Sequence, residues 1–387
     1  MRRERGRPEP RAAFRDDGPR QGTRMSTIKS FELKRCVQRQ QDPGWTFARA
    51  TVPELPGWIL VLTDQDGQVG HGYAHAIAAI TTHGEGAEAG LRFLAPRLVG
   101  RDPTSIAAVM DDLDLALAAS PSPKAAIDMA LHDLLARRLG VPLHALLGGA
   151  RRAVLPQARI LSIKSPADMA ERARGLVAQG YRTLKLKLAG DAETDVARVR
   201  AVREAIGPAP NITLDPNQTY SAKGIIAAFR SMERHDIALI EQPVAAADLA
   251  GLKLVTDTLP VPVEADESAD SLAVIWRIAG DRMADCVNLK ITKLGGIRNV
   301  LAAMRICEAG GLACRFGAAF GPSLLQAMGA QVAACARDLP FASELSEHTH
   351  LLDDPCTPLP VEGGDIVLPS GPGCGVSLRD GATEEAA

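Results

Sequence analysis

Hydrophobic and polar positions change their rhythm twice along this chain. From about Thr27 to Gly72 they follow a period of two. Residues 28–37 alternate, and residues 58–62 form an apolar run ending in the turn Asp66-Gly67, a pattern that predicts strands. Between these runs, residues 38–56 carry Pro43, Gly44, Pro53 and the aromatic pair Trp45 and Phe47, and read as a loop. The period then becomes helical over 88–98, 106–119 and 122–139. In the last of these, Ala126, Met129, Ala130, His132, Asp133, Leu134 and Arg137 sort into an apolar and a polar face. Gly140-Val141-Pro142 stops that helix, so an α+β domain spans about 25–150.

Beyond residue 150 the two rhythms alternate. Short β-branched runs recur at 154–160, 183–188, 212–215, 238–241, 261–266, 286–290, 313–316 and 341–344, and helical patterns such as 192–206, 223–233 and 297–309 lie between them. Eight parallel strands with crossover helices predict an α/β fold closed as a barrel over 151–345, with 346–387 as a C-terminal segment. A doubly wound open sheet is the alternative, but no Gly-rich phosphate fingerprint follows any of the runs. Before Met25 the chain holds eight arginines, four acids and three prolines with almost no large apolar side chain. A disordered tail over 1–24 is expected, and Glu4, Glu9, Asp16 and Asp17 argue against a transit peptide.

Composition narrows the class. A hydrophobic share of 46% supplies a sizeable core, and a net charge of −2 offers nothing to nucleic acid or an anionic membrane. No charge-free apolar stretch is long enough to span a bilayer. The seven cysteines form no CxxC pair, and an odd count without a secretory signal predicts reduced thiols in a cytoplasm.

Chemistry enters at the strand ends. Asp215, Glu241, Asp266 and Lys290 each close one run, at intervals of 26, 25 and 24 residues, which is one βα unit each time. In a barrel all four point to the C-terminal mouth. Converging carboxylates repel unless a cation bridges them, and oxygen ligands without His or Cys favour Mg²⁺ over zinc. Lys185 and Lys187 alternate with Leu184, Leu186 and Leu188, so the leucines face the helices and both lysines face the interior. A lysine beside another cation and a divalent metal loses proton affinity and becomes a usable base. Lys290, four strands further round, would face Lys185 and Lys187 across the metal. A carboxylate substrate held there would lose its α-proton and leave an enediolate stabilised by Mg²⁺.

Five motifs carry a resemblance: Lys185-Leu186-Lys187, Leu214-Asp215-Pro216-Asn217-Gln218, Ile240-Glu241-Gln242-Pro243, Ala265-Asp266-Glu267-Ser268, and the run from Asn288 through Lys290 and Lys293 to Gly296. In order and spacing the chain resembles the enolase superfamily, muconate lactonizing enzyme subgroup, from about residue 27 to the end. The resemblance implies a (β/α)₇β barrel with an α+β capping domain that the C-terminal segment rejoins. It implies Asp215, Glu241 and Asp266 as ligands of Mg²⁺, with Mn²⁺ able to substitute, and Lys187 and Lys290 as acid/base groups. Lys185 would tune Lys187 and touch the substrate carboxylate, with Asn217 and Glu267 beside the substrate or behind the ligands. A homo-oligomer acting on a small carboxylate is the expected form.

The chain also departs from the family pattern. Residues 314–320 hold no histidine, which favours a lysine–lysine branch over the mandelate racemase branch. Residues 341–347 lack the Asp-x-Asp of dipeptide epimerases, which disfavours that substrate class. Glu344 resembles the eighth-strand glutamate of muconate cycloisomerases. His71-Gly72-Tyr73-Ala74-His75 replaces the usual Gly-Trp-Gly-Glu of the cap. His348 and His350 lack a third metal ligand nearby and read as surface residues. Cycloisomerase, racemase or epimerase, and dehydratase all share the same first step; a Schiff-base aldolase or a silent regulatory relative leaves the three acids unexplained. Substrate choice is expected in the loop 38–56, through Trp45 and Phe47.

Overall fold

Alternation in the first rhythm becomes an antiparallel sheet in the computed structural model, which describes residues 26–78, 80, 84–379, 381 and 384–385. The expected tail 1–24 lies outside them. Strands β1 (Ile28–Arg39), β2 (Thr46–Phe47), β3 (Ala50–Thr51), β4 (Glu54–Asp64) and β5 (Val69–His75) follow one another. β1 pairs with β4 as far as Arg39 opposite Glu54, so the expected loop 38–56 is shorter than predicted and contains a small hairpin of its own, β2 with β3. The prolines conceal this. Pro56 sits opposite Val37, beyond the last β4–β5 pair at Gly57 and His75, where its missing N–H breaks no second ladder.

Helices α1 (Gly84–Leu94), α2 (Ile106–Ala116), α3 (Pro121–Arg138) and α4 (Leu143–Leu146) complete the cap. α3 lies so close on β5 that a Cβ at Gly72 would stand 1.8 Å from the Ala126 carbonyl oxygen. The polar face predicted for α3 is mostly withdrawn from water, with His132 and Asp133 buried and Arg137 half-buried. It lies between cap and barrel, where Asp128 accepts the Ile297 N–H at 2.6 Å and Asp133 accepts those of His71 at 3.0 Å and Cys374 at 2.8 Å. These polar residues serve as fasteners between layers.

The second rhythm winds the barrel. The expected first strand splits into β6 (Val154–Pro156) and β7 (Ala158–Leu161); then come α5 (Pro166–Ala178), β8 (Thr183–Lys187), α6 (Ala192–Ile206), β9 (Asn211–Asp215), α7 (Ala222–Met232), β10 (Ile237–Glu241), α8 (Leu249–Thr258), β11 (Val263–Ala265), α9 (Leu272–Asp281), β12 (Cys286–Leu289), α10 (Ile291–Leu294), α11 (Ile297–Gly310), β13 (Ala313–Phe316) and α12 (Ser323–Ala333). Strands β7 to β13 form one parallel seven-stranded sheet in sequence order. The eighth strand shrinks to a single bridge at Ser343. Its N–H reaches the Pro156 carbonyl at 3.0 Å, its carbonyl takes the Ala158 N–H at 2.7 Å, and Glu344 N–H reaches the Phe316 carbonyl at 2.8 Å, which closes the ring. β6 leaves the barrel to pair with β15 (Asp365–Val367), itself paired with β14 (Val361–Glu362), while β16 (Glu384–Glu385) adds to β1 in the cap. All seven cysteines are buried free thiols, and no helix among the described residues is long and apolar enough to cross a membrane.

Candidate active site

Strand parity delivers the site. Along β8, Leu184 and Leu186 join the apolar core outside the strands with Leu176, Val199 and Val202, so Lys185 and Lys187 are driven inward and are only 2% and 7% exposed. Solvated edge-strand lysines are thereby excluded. Inside, each ammonium meets acids. Lys187 Nζ donates to Asp215 Oδ2 at 2.5 Å, and Lys185 Nζ lies 3.1 Å from Asp215, 2.7 Å from Glu241 Oε2 and 2.9 Å from Glu344 Oε2. Across the mouth Lys290 Nζ donates to Asp266 Oδ2 at 2.5 Å, and Lys293 Nζ to Asp266 Oδ1 at 2.8 Å.

The turns after the acids are held tightly. Asp215 Oδ1 accepts the Asn217 N–H at 2.9 Å, and Asn217, Gln218 and Gln242 all have positive φ. Non-glycine residues hold that conformation only where their surroundings impose it. At Gln242 its own side chain anchors the turn. Its Oε1 accepts the N–H groups of Asp266 and Ser268 at 2.9 and 3.1 Å, and its Nε2 donates to Ser268 Oγ at 2.8 Å, tying the turn behind Glu241 to the turn behind Asp266.

The electrostatics record an excess of acid. Burial and then Asp215 push the Glu241 carboxyl well above its usual range, with Glu264 and Glu344 adding to the rise against Lys185. Asp215 is held near 2, since Lys187 and Lys185 outweigh its burial. Burial opposes the charge on Lys185 and Lys290, yet Glu241 and Asp266 respectively, with other acids, raise both above the ordinary lysine value. Carboxylates dominate the surroundings of both ammonium groups.

Does this donor set fit Mg²⁺? Glu241 Oε1 is buried without a hydrogen-bond partner among the described residues, and Asp215, Glu241 and Asp266 offer only oxygen. With Asp215 and Asp266 turned onto lysines, no three acids, histidines or cysteines among the described residues enclose an ion as they stand. The chemistry of the donors fits a hard divalent cation, which would relieve the crowding felt at Glu241.

Above the acids a cavity of about 410 Å³ is lined by Lys185, Lys187, Lys290, Asp266, Asn217 and Glu267 on the barrel side and by Trp45, Phe47 and Phe320 on the other. Asp215, Glu241 and Glu344 lie beneath the lysines and outside its lining. Glu344 is wholly buried against Lys185 and Arg315, so the place beside the substrate expected from the cycloisomerase likeness is not where it stands.

The hairpin carrying Trp45 and Phe47 is fastened down. Thr46 N–H donates to Ser162 Oγ at 2.7 Å and Lys164 Nζ to the Gly44 carbonyl at 2.7 Å. Trp45 meets Phe320 edge-on at 4.7 Å, and Phe320 stacks on His350 at 5.9 Å. Phe47 presents its ring 5.7 Å from Lys187 Nζ. His348 and His350 are buried rather than superficial: His348 Nε2 is bonded to the Leu359 carbonyl at 2.8 Å, and His350 Nε2 lies 3.0 Å from a Glu347 carboxylate oxygen. Arg315, Gln242 and Lys293 have no role that sequence pattern assigns; only strand register reveals where they reach.

Two family models match this chain: "Enolase C-terminal domain-like" over residues 168–382, and "Mandelate racemase / muconate lactonizing enzyme, N-terminal domain" over 32–148. The chain belongs to the enolase superfamily, muconate lactonizing enzyme subgroup. This enolase-superfamily enzyme is 34% identical to the L-Ala-D/L-Glu epimerase of Bacillus subtilis, over 85% of this chain and 91% of that one. It is 31% identical to a chloromuconate cycloisomerase of Cupriavidus necator, over 85% and 90%. In structure it is similar to a dipeptide epimerase from Enterococcus faecalis complexed with Mg and the dipeptide L-Leu-L-Tyr, with a TM-score of 0.87 and 30% identity, covering 91% and 99%. Dipeptide epimerases thus stand among the relatives of a superfamily enzyme whose own residues 341–347 lack Asp-x-Asp.

Proposed function

We propose that this enzyme is a Mg²⁺-dependent racemase or epimerase that inverts the α-carbon of an amino acid whose nitrogen carries an amide. The observation that carries the reading is that Lys187 and Lys290, from the second and sixth strands of the eight-strand ring, line one cavity together with Asp266. Bound by Asp215, Glu241 and Asp266, Mg²⁺ would supply the positive charge that orients the substrate carboxylate and acidifies the adjacent C–H.

The chain's own groups do the rest. One lysine Nζ takes the α-proton from its face of the carbon, and the ammonium of the other returns a proton to the opposite face. Lys185, lying below and already bonded to Glu241 and Glu344, keeps positive charge under the substrate. Trp45, Phe47 and Phe320 give the distal part of the substrate an apolar wall and shield the proton transfer from water. At the eighth strand Glu344 is already taken by Arg315 and Lys185, so it is not free to receive a substrate ammonium. An N-acylated amino acid is therefore favoured over a dipeptide with a free amine.

The test is a panel of N-acyl amino acids, dipeptides and muconates incubated with the enzyme and Mg²⁺ in D₂O and scored by mass and chiral chromatography. Inversion with one deuterium gained is expected, fastest in the N-acyl arm. Lactone formation from a muconate with no inversion in either other arm would establish a cycloisomerase instead.

A further inference from the structure

Beneath the metal-binding acids the barrel carries a second layer of charge, and one residue holds it together. Arg315 points inward from β13 and is fully buried. Its guanidinium reaches three other strands of the ring. Nη1 donates to Glu241 Oε2 at 2.9 Å and to Glu264 Oε2 at 2.8 Å, Nη2 donates to Glu344 Oε1, and Nε donates to the Ala342 carbonyl at 3.0 Å. Glu344 Oε2 in turn accepts Lys185 Nζ at 2.9 Å and the Ala318 N–H at 3.1 Å.

The consequence falls on Glu241. Its Oε2 is occupied twice, by Lys185 at 2.7 Å and by Arg315, while Oε1 has no partner among the described residues. A carboxylate pinned by one oxygen presents the other in a fixed direction. Unpinned, it rotates, or turns both oxygens to the nearest ammonium. Arg is suited to this task, since its planar fork bonds carboxylates on several strands at once and a lysine ammonium cannot span them.

We propose that Arg315 is the positioning residue that sets metal affinity in this enzyme, by holding Glu241 as a one-oxygen ligand and Glu344 against Lys185. The inference rests on the assignment of Asp215, Glu241 and Asp266 as metal ligands. Partners behind a metal ligand typically govern about 10–100-fold in affinity, and that is the effect expected here.

The bare substitution Arg315→Met strands three buried acids and is expected to unfold the barrel, so the test uses the double variant Arg315→Met/Glu264→Gln, which removes one cation and one anion together. Mn²⁺ binding is titrated by electron paramagnetic resonance for the wild type, Glu241→Gln, Arg315→Lys/Glu264→Gln and the double variant, with thermal melting alongside. The double variant is expected to melt near the wild type but to bind Mn²⁺ about 10–100-fold more weakly. The lysine variant, with the charge but not the fork, is expected to remain weak. A folded double variant with wild-type Mn²⁺ affinity would overturn the role of Arg315, as would full rescue by lysine. Mn²⁺ binding that Glu241→Gln leaves intact would instead overturn the ligand assignment beneath it.

Discussion

Two surfaces face each other across the cavity, and they are built from opposite materials. The barrel side presents lysines and Asp266 over a layer of buried charge. Lys185, Asp215, Glu241, Asp266 and Arg315 are each at most 3% exposed, and each is paired to a partner on another strand. The cap side is the β2–β3 hairpin, where Trp45 and Phe47 pack on Phe320 and Leu351 in a small apolar cluster of their own. In a charged interior each substitution acts on its partners, because removing one member leaves the others buried with less compensation. An apolar wall changes by degrees, in proportion to the area it covers. Under the proposed function, the chemistry belongs to the barrel and substrate choice to the hairpin.

The barrel side breaks most sharply at Glu241. Glu241→Gln is expected to remove Mg²⁺ binding in calorimetry and to take inversion below detection while circular dichroism stays native. On the cap side the largest expected effect is on stability. Trp45→Ala empties the contact with Phe320 and is expected to cost about 3–5 kcal/mol in denaturant unfolding, with Mg²⁺ affinity unchanged in the folded fraction.

The seam between the two regions titrates. Glu347 is fully buried, 3.1 Å from Arg159 and 3.0 Å from His350, and these hold its carboxyl near 2 despite the burial, against 4.5 when unfolded. A depressed carboxyl contributes stability that is present above the unfolded value and is lost as pH falls through the folded one. About 3 kcal/mol should therefore disappear between pH 4.5 and 2. Melting against pH checks this, and a Glu347→Gln variant should show a flatter acid limb. The smallest effect is expected at Phe47, whose alanine variant should raise KM about 10–100-fold, the equivalent of 1.5–3 kcal/mol of lost burial, with kcat nearly kept. A kcat that falls in step with Mg²⁺ affinity would move Phe47 into the charged layer.

The same contrast decides how much the sequence discloses. Asp215, Glu241, Asp266 and Lys290 are legible because a barrel repeats one βα unit at a time and spaces its strand ends accordingly. Lys185 and Lys187 are legible from their alternation with leucines. Arg315 is not, since one arginine between Cys314 and Phe316 has no local pattern, and its reach to β10 and β11 depends on the closure of the ring. Gln242 sits inside a motif, yet its role is hidden because its work is to join two turns 24 residues apart. The burial of the polar face of α3 is not legible, because periodicity reports polarity and not burial; Asp128 and Asp133 meet backbone N–H groups from distant segments. The hairpin between Arg39 and Glu54 is masked by prolines that interrupt no ladder.

The central claim is that Lys187 and Lys290 address opposite faces of one α-carbon. Its most direct measurement is enantiomer-resolved deuterium exchange, in D₂O with Mg²⁺, by Lys187→Ala and Lys290→Ala on whichever substrate the panel identifies. Each variant is expected to lose inversion by about 10²–10⁴-fold and to retain α-exchange with one enantiomer only, the two variants retaining opposite hands. Equal exchange of both enantiomers by either variant, or retention of the same hand by both, would contradict it.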